Sequence, residues 1–364
     1  MKYNIYINGR FLSQKVTGVQ RYAWGVVRAW DEALAAGEID PAVYTLIVLA
    51  PADCGTVAEF KHIQVVRSAW CRGKLWEQVV LPFASSGEML FSPYAAAPAF
   101  KRKHVVTIHD AGASATPYQY TAAFRAWYHI VYRAIALCAR KILTVSEFSK
   151  IELNKHYEIP LSKIDVAYPG HYGIQSSPAE EGILARNGLT KNRFVLGVSS
   201  MSPVKNFVGL AAAHKHLGRQ DYHLVIVGGG NTRIFQDLGR GLASSAVFLG
   251  YVSDAELRAL YENAACFAYP SYYEGFGLPP IEAMSCGCPV VVSNRAALAE
   301  VCGDAALYCD PDDPIDISRK IATVLDDAKL ARDLCERGRA HAQRYTYKQC
   351  AAKIWSEISR LLDE

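Results

Sequence analysis

The stretch "YYEGFGLPPIEAMSCGCPVVV", residues 272–292, sets Glu274 and Glu282 on either side of G-F-G-L-P-P-I. Two carboxylates separated by a spacer with two glycines and two prolines do not describe one face of a helix. Proline is tolerated in the first turn of a helix, where amides lack an intrahelical partner. Pro279-Pro280 therefore reads as a helix start, with I-E-A-M-S-C as the helix and Gly287 as its end. "CPVVVS" follows as a buried strand. Glu274, Gly275 and Gly277 then lie in the loop feeding the helix, and Glu282 in its first turn. Loop amides and the positive end of a helix suit a phosphate. Carboxylates would repel a phosphate, so they should reach past it to hydroxyls, as on a ribose or a hexose. The chemistry implied is recognition of a sugar nucleotide.

Other polar residues are set after apolar runs. "VSSMSPVKNF" supplies Lys205 before a helix, where a cation could offset diphosphate charge on a leaving group. "TIHD" ends with His109 and Asp110, and "QKVTGVQRYA" places Gly18 in a loop before a helix. "LVIVGGGNTR" resembles half of a dinucleotide fingerprint, but Arg233 stands where the third glycine belongs and no acidic residue follows the next strand. Tight-turn packing is the plainer role for Gly228 to Gly230. The D-P-D at 310–312 sits in a proline-rich turn capping a helix, which gives a metal site little weight.

These residues need a scaffold. Strand-like runs alternate with helix-like segments, which implies parallel sheets covered by helices. "YNIYIN", "YTLIVLA", "IQVVRS", "EMLFSP", "HVVTIHD" and "KILTVS" supply a first half. "RFVLGVSS", "HLVIVGGG", "AVFLGYV", "ACFAYPS", "PVVVSN" and "ALYCDP" supply a second. Each half reads as a Rossmann-like domain, whose ligands gather outside the carboxyl ends of the strands. The polar, glycine-bearing "YPGHYGIQSSPAEEGILARNG" is expected to be the linker. The division is then residues 1–172, completed by a C-terminal helix over 346–364, and residues 173–345. That last helix is amphipathic, with Ile354, Ile358 and Leu361 at helical spacing.

Length and composition agree with two globular domains: 364 residues, half of them apolar and a fifth charged. The chain opens directly on a strand-like run, so no N-terminal signal is expected. "AWYHIVYRAIALCA" is shorter than the ~20 residues of a membrane span and carries His129 and Arg133. Ten cysteines without a C-x-x-C pair suggest reduced thiols rather than zinc. Residues 1–172 hold 19 Lys and Arg against 13 Asp and Glu, and the remainder 20 against 22. A basic first half could attract anionic headgroups or a pyrophosphate-bearing acceptor. No motif points to nucleic acid.

Taken together, E-G-F-G-L-P-P-I-E, V-K-N, G-Y-V-S-D-A-E-L and T-V-S-E-F-S resemble the family 4 glycosyltransferases of the GT-B class. "NGRFLSQKVTGVQRYA" with "TIHD" is most similar to the mannosyltransferase-like bacterial branch of O-antigen and exopolysaccharide synthesis. The resemblance implies an α/β fold of two Rossmann-like domains facing across a cleft, an N-terminal acceptor domain and a C-terminal donor domain. It implies hexose transfer with retention, without a metal or other cofactor. GDP-mannose is the implied donor, with a UDP- or dTDP-sugar left open. The implied acceptor is a glycan or a polyprenyl-pyrophosphate-linked chain. The implied location is cytoplasmic, with peripheral contact at the inner membrane.

By the same resemblance Glu274 contacts donor hydroxyls, Glu282 holds the ribose and Lys205 binds the diphosphate. Gly275, Phe276, Gly277 and Leu278 contact sugar or phosphates, Val252 meets the base through its backbone, His109 lies near the transferred sugar and Gly18 closes on the diphosphate. Many members carry an arginine where Ser199 stands, and often a second where Val204 stands. Ser199 stays among the donor-binding positions; either Lys205 holds the diphosphate with one fewer cation, or an arginine from elsewhere, such as Arg21 or Arg295, joins it. A nicotinamide-dependent oxidoreductase is disfavoured by the broken fingerprint. A non-catalytic sugar-nucleotide-binding protein is disfavoured by the presence of Glu274, Glu282 and Lys205 together. A glycan phosphorylase would need pyridoxal phosphate on a lysine of the second domain.

Overall fold

The computed structural model describes residues 2–15, 17–55, 60–68, 71–94, 97–171, 174, 178–229 and 246–364. Two compact units are formed, Met1–Gly170 with Thr346–Glu364, and His171–Tyr345.

The first unit is a seven-stranded sheet of β1 (Tyr3–Asn8), β2 (Tyr44–Ala50), β3 (Gln64–Arg67), β4 (Met89–Ser92), β5 (His104–Thr107), β6 (Lys141–Thr144) and β7 (Ile164–Val166). Its order is β3-β2-β1-β4-β5-β6-β7, parallel throughout. Strands buried on both faces read as continuous apolar runs, as "LIVLA" and "HVVT" do here. The short β7 was not expected: its sequence, I-D-V, breaks the apolar pattern at Asp165, which pairs with Lys141 at 2.7 Å.

The Tyr347–Asp363 helix belongs to this unit, and Cys350, Ile354, Ile358 and Leu361 join its main core with Ile5, Trp30 and Phe91. Trp30 donates its indole N–H to the Ala351 carbonyl at 3.0 Å, a partner 321 residues along the chain.

The second unit is a six-stranded sheet of β8 (Phe194–Val198), β9 (His223–Val227), β10 (Ala246–Gly250), β11 (Cys266–Tyr269), β12 (Val290–Ser293) and β13 (Leu307–Cys309). The order is β10-β9-β8-β11-β12-β13, again parallel. In both units the strand order reverses beside the first strand, at β1/β4 and at β8/β11. A doubly wound sheet opens a crevice at that point, beyond the carboxyl ends of the strands. Within the stretch read as linker, Gly182–Arg186 forms a short helix whose Ile183 and Leu184 are buried, because two apolar side chains there can reach a core.

Candidate functional site

Two loops leave the switch point of the second unit, 199–206 after β8 and 270–277 after β11. They are stitched together: Tyr272 donates its amide to the Val204 carbonyl at 2.7 Å, and Ser271 donates its hydroxyl to the same carbonyl at 3.0 Å. Asn206 fixes the far end of the first loop. Its φ is +54°, a left-handed conformation that asparagine tolerates better than most residues. Its side chain accepts from the Gly209 amide at 3.0 Å, capping the Phe207–Leu217 helix, and donates to the Pro311 carbonyl at 2.8 Å.

This stitching brings Lys205 to Glu274, with Nζ 2.6 Å from Oε1. The one Ser271 hydroxyl proton is shared between the Val204 carbonyl and this carboxylate oxygen, 2.7 Å from Ser271 Oγ. Both members of the pair are largely buried. Burial alone would push the Lys205 ammonium down, but the Glu274 carboxylate and Tyr269 reverse the effect and hold it above its ordinary range. Lys205 is therefore charged wherever the protein is folded near neutrality.

Tyr269, the last residue of β11, completes the group. Its ring centre lies 5.9 Å from Lys205 Nζ, and its hydroxyl bonds with the side chains of Glu274 and Ser199. Burial first, then the charge of Glu274, raises the phenol above its usual range. Sequence reasoning missed Tyr269 because a tyrosine closing an apolar run looks like core. It also missed Ser271 and Asn206, whose signals were present: Ser271 stands three residues before Glu274, and Asn206 directly before a helix.

The Leu278–Ser285 helix begins one residue ahead of Pro279-Pro280, which occupy its first turn. Gly277 precedes it with φ +101°, and a Cβ there would come within 2.7 Å of Leu298. Proline has no N–H, so donors at this end come from Leu278 and the loop rather than from a full turn of helix. Phe276 is buried and packs edge-on against Tyr345 at 5.3 Å. Glu282 is the fifth helical residue, one step past the expected first turn, because the helix starts at Leu278 ahead of the prolines. Its buried Oε2 accepts from the Tyr261 hydroxyl at 3.4 Å.

Ser199 follows β8 directly and donates its amide to the Val227 carbonyl at 3.0 Å. Gly228 has φ +142°, and a Cβ there would meet the Ser199 carbonyl oxygen at 1.7 Å. Gly228 therefore serves close packing. Gly230 and Arg233 lie outside the described residues. Val252 lies between β10 and the Asp254–Asn263 helix, which Ser253 and Glu256 close with a capping box. Arg295 pairs with Asp312 and, at 3.4 Å, with Asp310. The D-P-D carboxylates are thus turned onto an arginine, and Asp313 caps the following helix.

The first unit holds the remaining candidates. His109 lies two residues beyond β5, and its Nε2 donates to the Pro93 carbonyl at 3.2 Å. A carbonyl can only accept, so the proton sits on Nε2 and Nδ1 is left as the acceptor. The Tyr22 ring meets it edge-on at 4.7 Å. Burial pulls the imidazole down to about 4 against the opposing effect of the Pro93 bond, so it is neutral near pH 7. Gly18 is not in a loop but is the first residue of the Gly18–Ala35 helix. Thr17 starts that helix, with its amide donated to the Gln20 side chain at 3.2 Å. A Cβ at Gly18 would meet nothing within 4 Å.

Two doubly wound parallel units give the chain the GT-B fold, which solved glycosyltransferase structures share. Residues 79–171 match the model for Glycosyltransferase Family 4, and residues 181–341 the model for Glycosyl transferases group 1. Over those residues the chain is similar to both of these glycosyltransferase families.

An O-antigen chain mannosyltransferase B of Escherichia coli is 38% identical over 226 residues, 59% of each chain. The chain thus spans less than two thirds of the length of the curated relatives it matches first. The sucrose-phosphate synthase of Thermosynechococcus elongatus shares the fold with a TM-score of 0.78 at 20% identity, over 100% of both chains. Anabaena HepE, solved with UDP and glucose, does so with a TM-score of 0.75 at 18% identity, over 99% of this chain and 100% of its own. No helix among the described residues is long and apolar enough to cross a membrane.

Proposed function

We propose that the protein transfers a hexose, with retention, from a nucleotide sugar to a growing glycan in bacterial surface polysaccharide synthesis. The observation that carries this reading is the Lys205–Glu274 pair at the β8/β11 switch point. It sets a fixed cation and a carboxylate side by side, as a molecule that is phosphate at one end and polyol at the other requires.

Lys205 and the Leu278 end of the helix take the diphosphate. Glu274 accepts from sugar hydroxyls, and Glu282, eight residues on, from the ribose. Glu274 takes bonds from Lys205 and Ser271 on one oxygen, which suits a positioning group better than a nucleophile. Reaction then proceeds on one face: the bond from the anomeric carbon to the phosphate oxygen breaks, the acceptor oxygen bonds to that carbon, and the departing phosphate takes the acceptor's proton. Positive charge comes from Lys205 and backbone dipoles, with no metal or other cofactor required.

The mannosyltransferase relative favours GDP-mannose as donor and a lipid-linked or oligosaccharide acceptor. HepE, solved with UDP and glucose, keeps a UDP-sugar as the second reading. An acceptor on a lipid carrier would be met at the cytoplasmic face of the inner membrane, with charge holding the protein there. Offering GDP-mannose, UDP-glucose and dTDP-rhamnose with a lipid-pyrophosphate acceptor tests the assignment. Mannose incorporation should exceed the others. Transfer from a UDP- or dTDP-sugar alone overturns the donor, and transfer from none overturns the enzymatic reading.

A further inference from the structure

Past the carboxyl end of β5 the chain runs through His109 and Asp110 into a row of aromatic side chains. Thr121 opens the Ala122–Cys138 helix, its hydroxyl accepting from the Phe124 amide at 3.2 Å. Phe124, Tyr128 and Tyr132 then stand four residues apart, neighbours along one side of the helix. Tyr120, just ahead of the cap, extends the row outward. Its ring lies within 8° of parallel to that of Phe124, with centres 5.0 Å apart. Phe124 meets Tyr128 at 4.5 Å, Tyr128 meets Tyr132 at 5.4 Å and Tyr132 meets Tyr157 at 4.8 Å. Tyr132 and Tyr157 end the row in the core, whereas Tyr120 and Phe124 are each 37% exposed. Helices normally turn such a stripe fully inward.

Asp110 supplies the polar complement. It is the only acidic residue between Glu88 and Glu147. Its Oδ1 accepts from the Gly112 amide at 2.7 Å, which holds the carboxylate at the foot of the row. Burial first, then Tyr128, Tyr157 and the Asp110 charge, hold the Tyr132 phenol above its ordinary range. The Tyr157 phenol is raised by burial and by the same carboxylate, against the effect of its bond with Ser114. One half-buried carboxylate thus stands among the phenols, at the end of the sheet where doubly wound folds receive ligands.

We infer that Tyr120, Phe124, Tyr128 and Asp110 form a sugar subsite of the first unit, which receives pyranose rings of the acceptor glycan. A pyranose has an apolar face of C–H groups and a rim of hydroxyls. The C–H face fits the electron-rich face of an aromatic ring. The hydroxyls need acceptors, which a carboxylate and phenol oxygens supply. A diphosphate has no apolar face and is repelled by a carboxylate, so the row selects the sugar end of an acceptor over a phosphate end. The inference rests on the reading of a growing glycan as acceptor, and adds which side chains hold its rings.

The test is saturation-transfer NMR of the full chain titrated with mannotetraose. Wild type should transfer saturation to ring C–H protons of the oligosaccharide. Tyr120→Ala with Phe124→Ala should bind about tenfold more weakly and keep an unchanged far-UV spectrum. Tyr120→Phe keeps the ring and should stay within about twofold of wild type. Asp110→Asn keeps an acceptor for the Gly112 amide and should still weaken binding. No transfer from wild type, or equal binding by the double alanine variant, overturns the inference. Loss of binding to phosphatidylglycerol vesicles in the double variant, with mannotetraose binding intact, also overturns it by assigning the row to lipid. GDP affinity, measured by calorimetry, reports separately on the donor reading and should be the same in all variants.

Discussion

Lys205 and Glu274 are 69 residues apart in the chain and 2.6 Å apart through Nζ and Oε1. No local preference joins them. They meet because β8 and β11 are neighbours in the sheet and because Val204 accepts two bonds from the 271–272 turn.

Lys205→Ala should therefore cost both turnover and stability. Removing one member of a buried pair leaves an uncompensated charge, at about 3–5 kcal/mol. Lys205→Met with Glu274→Gln removes both charges and should recover most of the thermal midpoint while turnover stays lost. If the double variant regains activity, the pair is structural.

Glu282→Ala should weaken nucleotide binding about tenfold to a hundredfold, the equivalent of losing a charged hydrogen bond of ~1.5–3 kcal/mol. Calorimetry with GDP reads this directly. Unchanged affinity in a folded variant would remove Glu282 from the ribose.

His109 gives a pH-dependent prediction. Its folded-state pKa of about 4 lies below the ordinary value near 6.5, so the unfolded chain takes up the proton first. The stability that goes with the neutral ring is complete above about pH 6.5 and is lost as pH falls through 4. His104, pulled down to about 3 by burial, acts in the same direction. The thermal midpoint should fall between pH 7 and 5, and His109→Gln should flatten the slope in part. An identical slope in the variant would contradict the assignment.

Gly277→Ala should destabilise the second unit, since φ +101° disfavours any side chain and a Cβ would press on Leu298. Leu298→Ala in the same chain should relieve the contact but not the backbone strain, so urea unfolding should show partial rescue. Full rescue would mean that the dihedral costs little.

Ile354→Ala should lower stability by about 2–5 kcal/mol, as for other fully buried branched side chains. A surface-like value in urea unfolding would detach the last helix from the first core.

Most of the architecture was legible because a doubly wound sheet writes its strands as apolar runs that few other elements imitate. The expected strands appear where "YTLIVLA" and "PVVVSN" place them. β7 was not legible, since three residues with a central aspartate carry no pattern. The Gly18 loop was misread because Thr17 and Gln20 form a helix start that a glycine masks. In the candidate site, Lys205 and Glu274, which the structure brings together, were visible by type and spacing. Tyr269 was not, because its role depends on three neighbours brought in from two loops and the end of β8.

The last helix has a consequence for the order of assembly. The second unit is translated as one uninterrupted length, His171–Tyr345, between the two parts of the first. The first core still lacks Ile354, Ile358 and Leu361 when the ribosome has passed residue 345. On a ribosome the usual precedence of the N-terminal part is then reversed. The second unit can close while its predecessor waits, and the first unit becomes complete only once residues 346–364 have emerged.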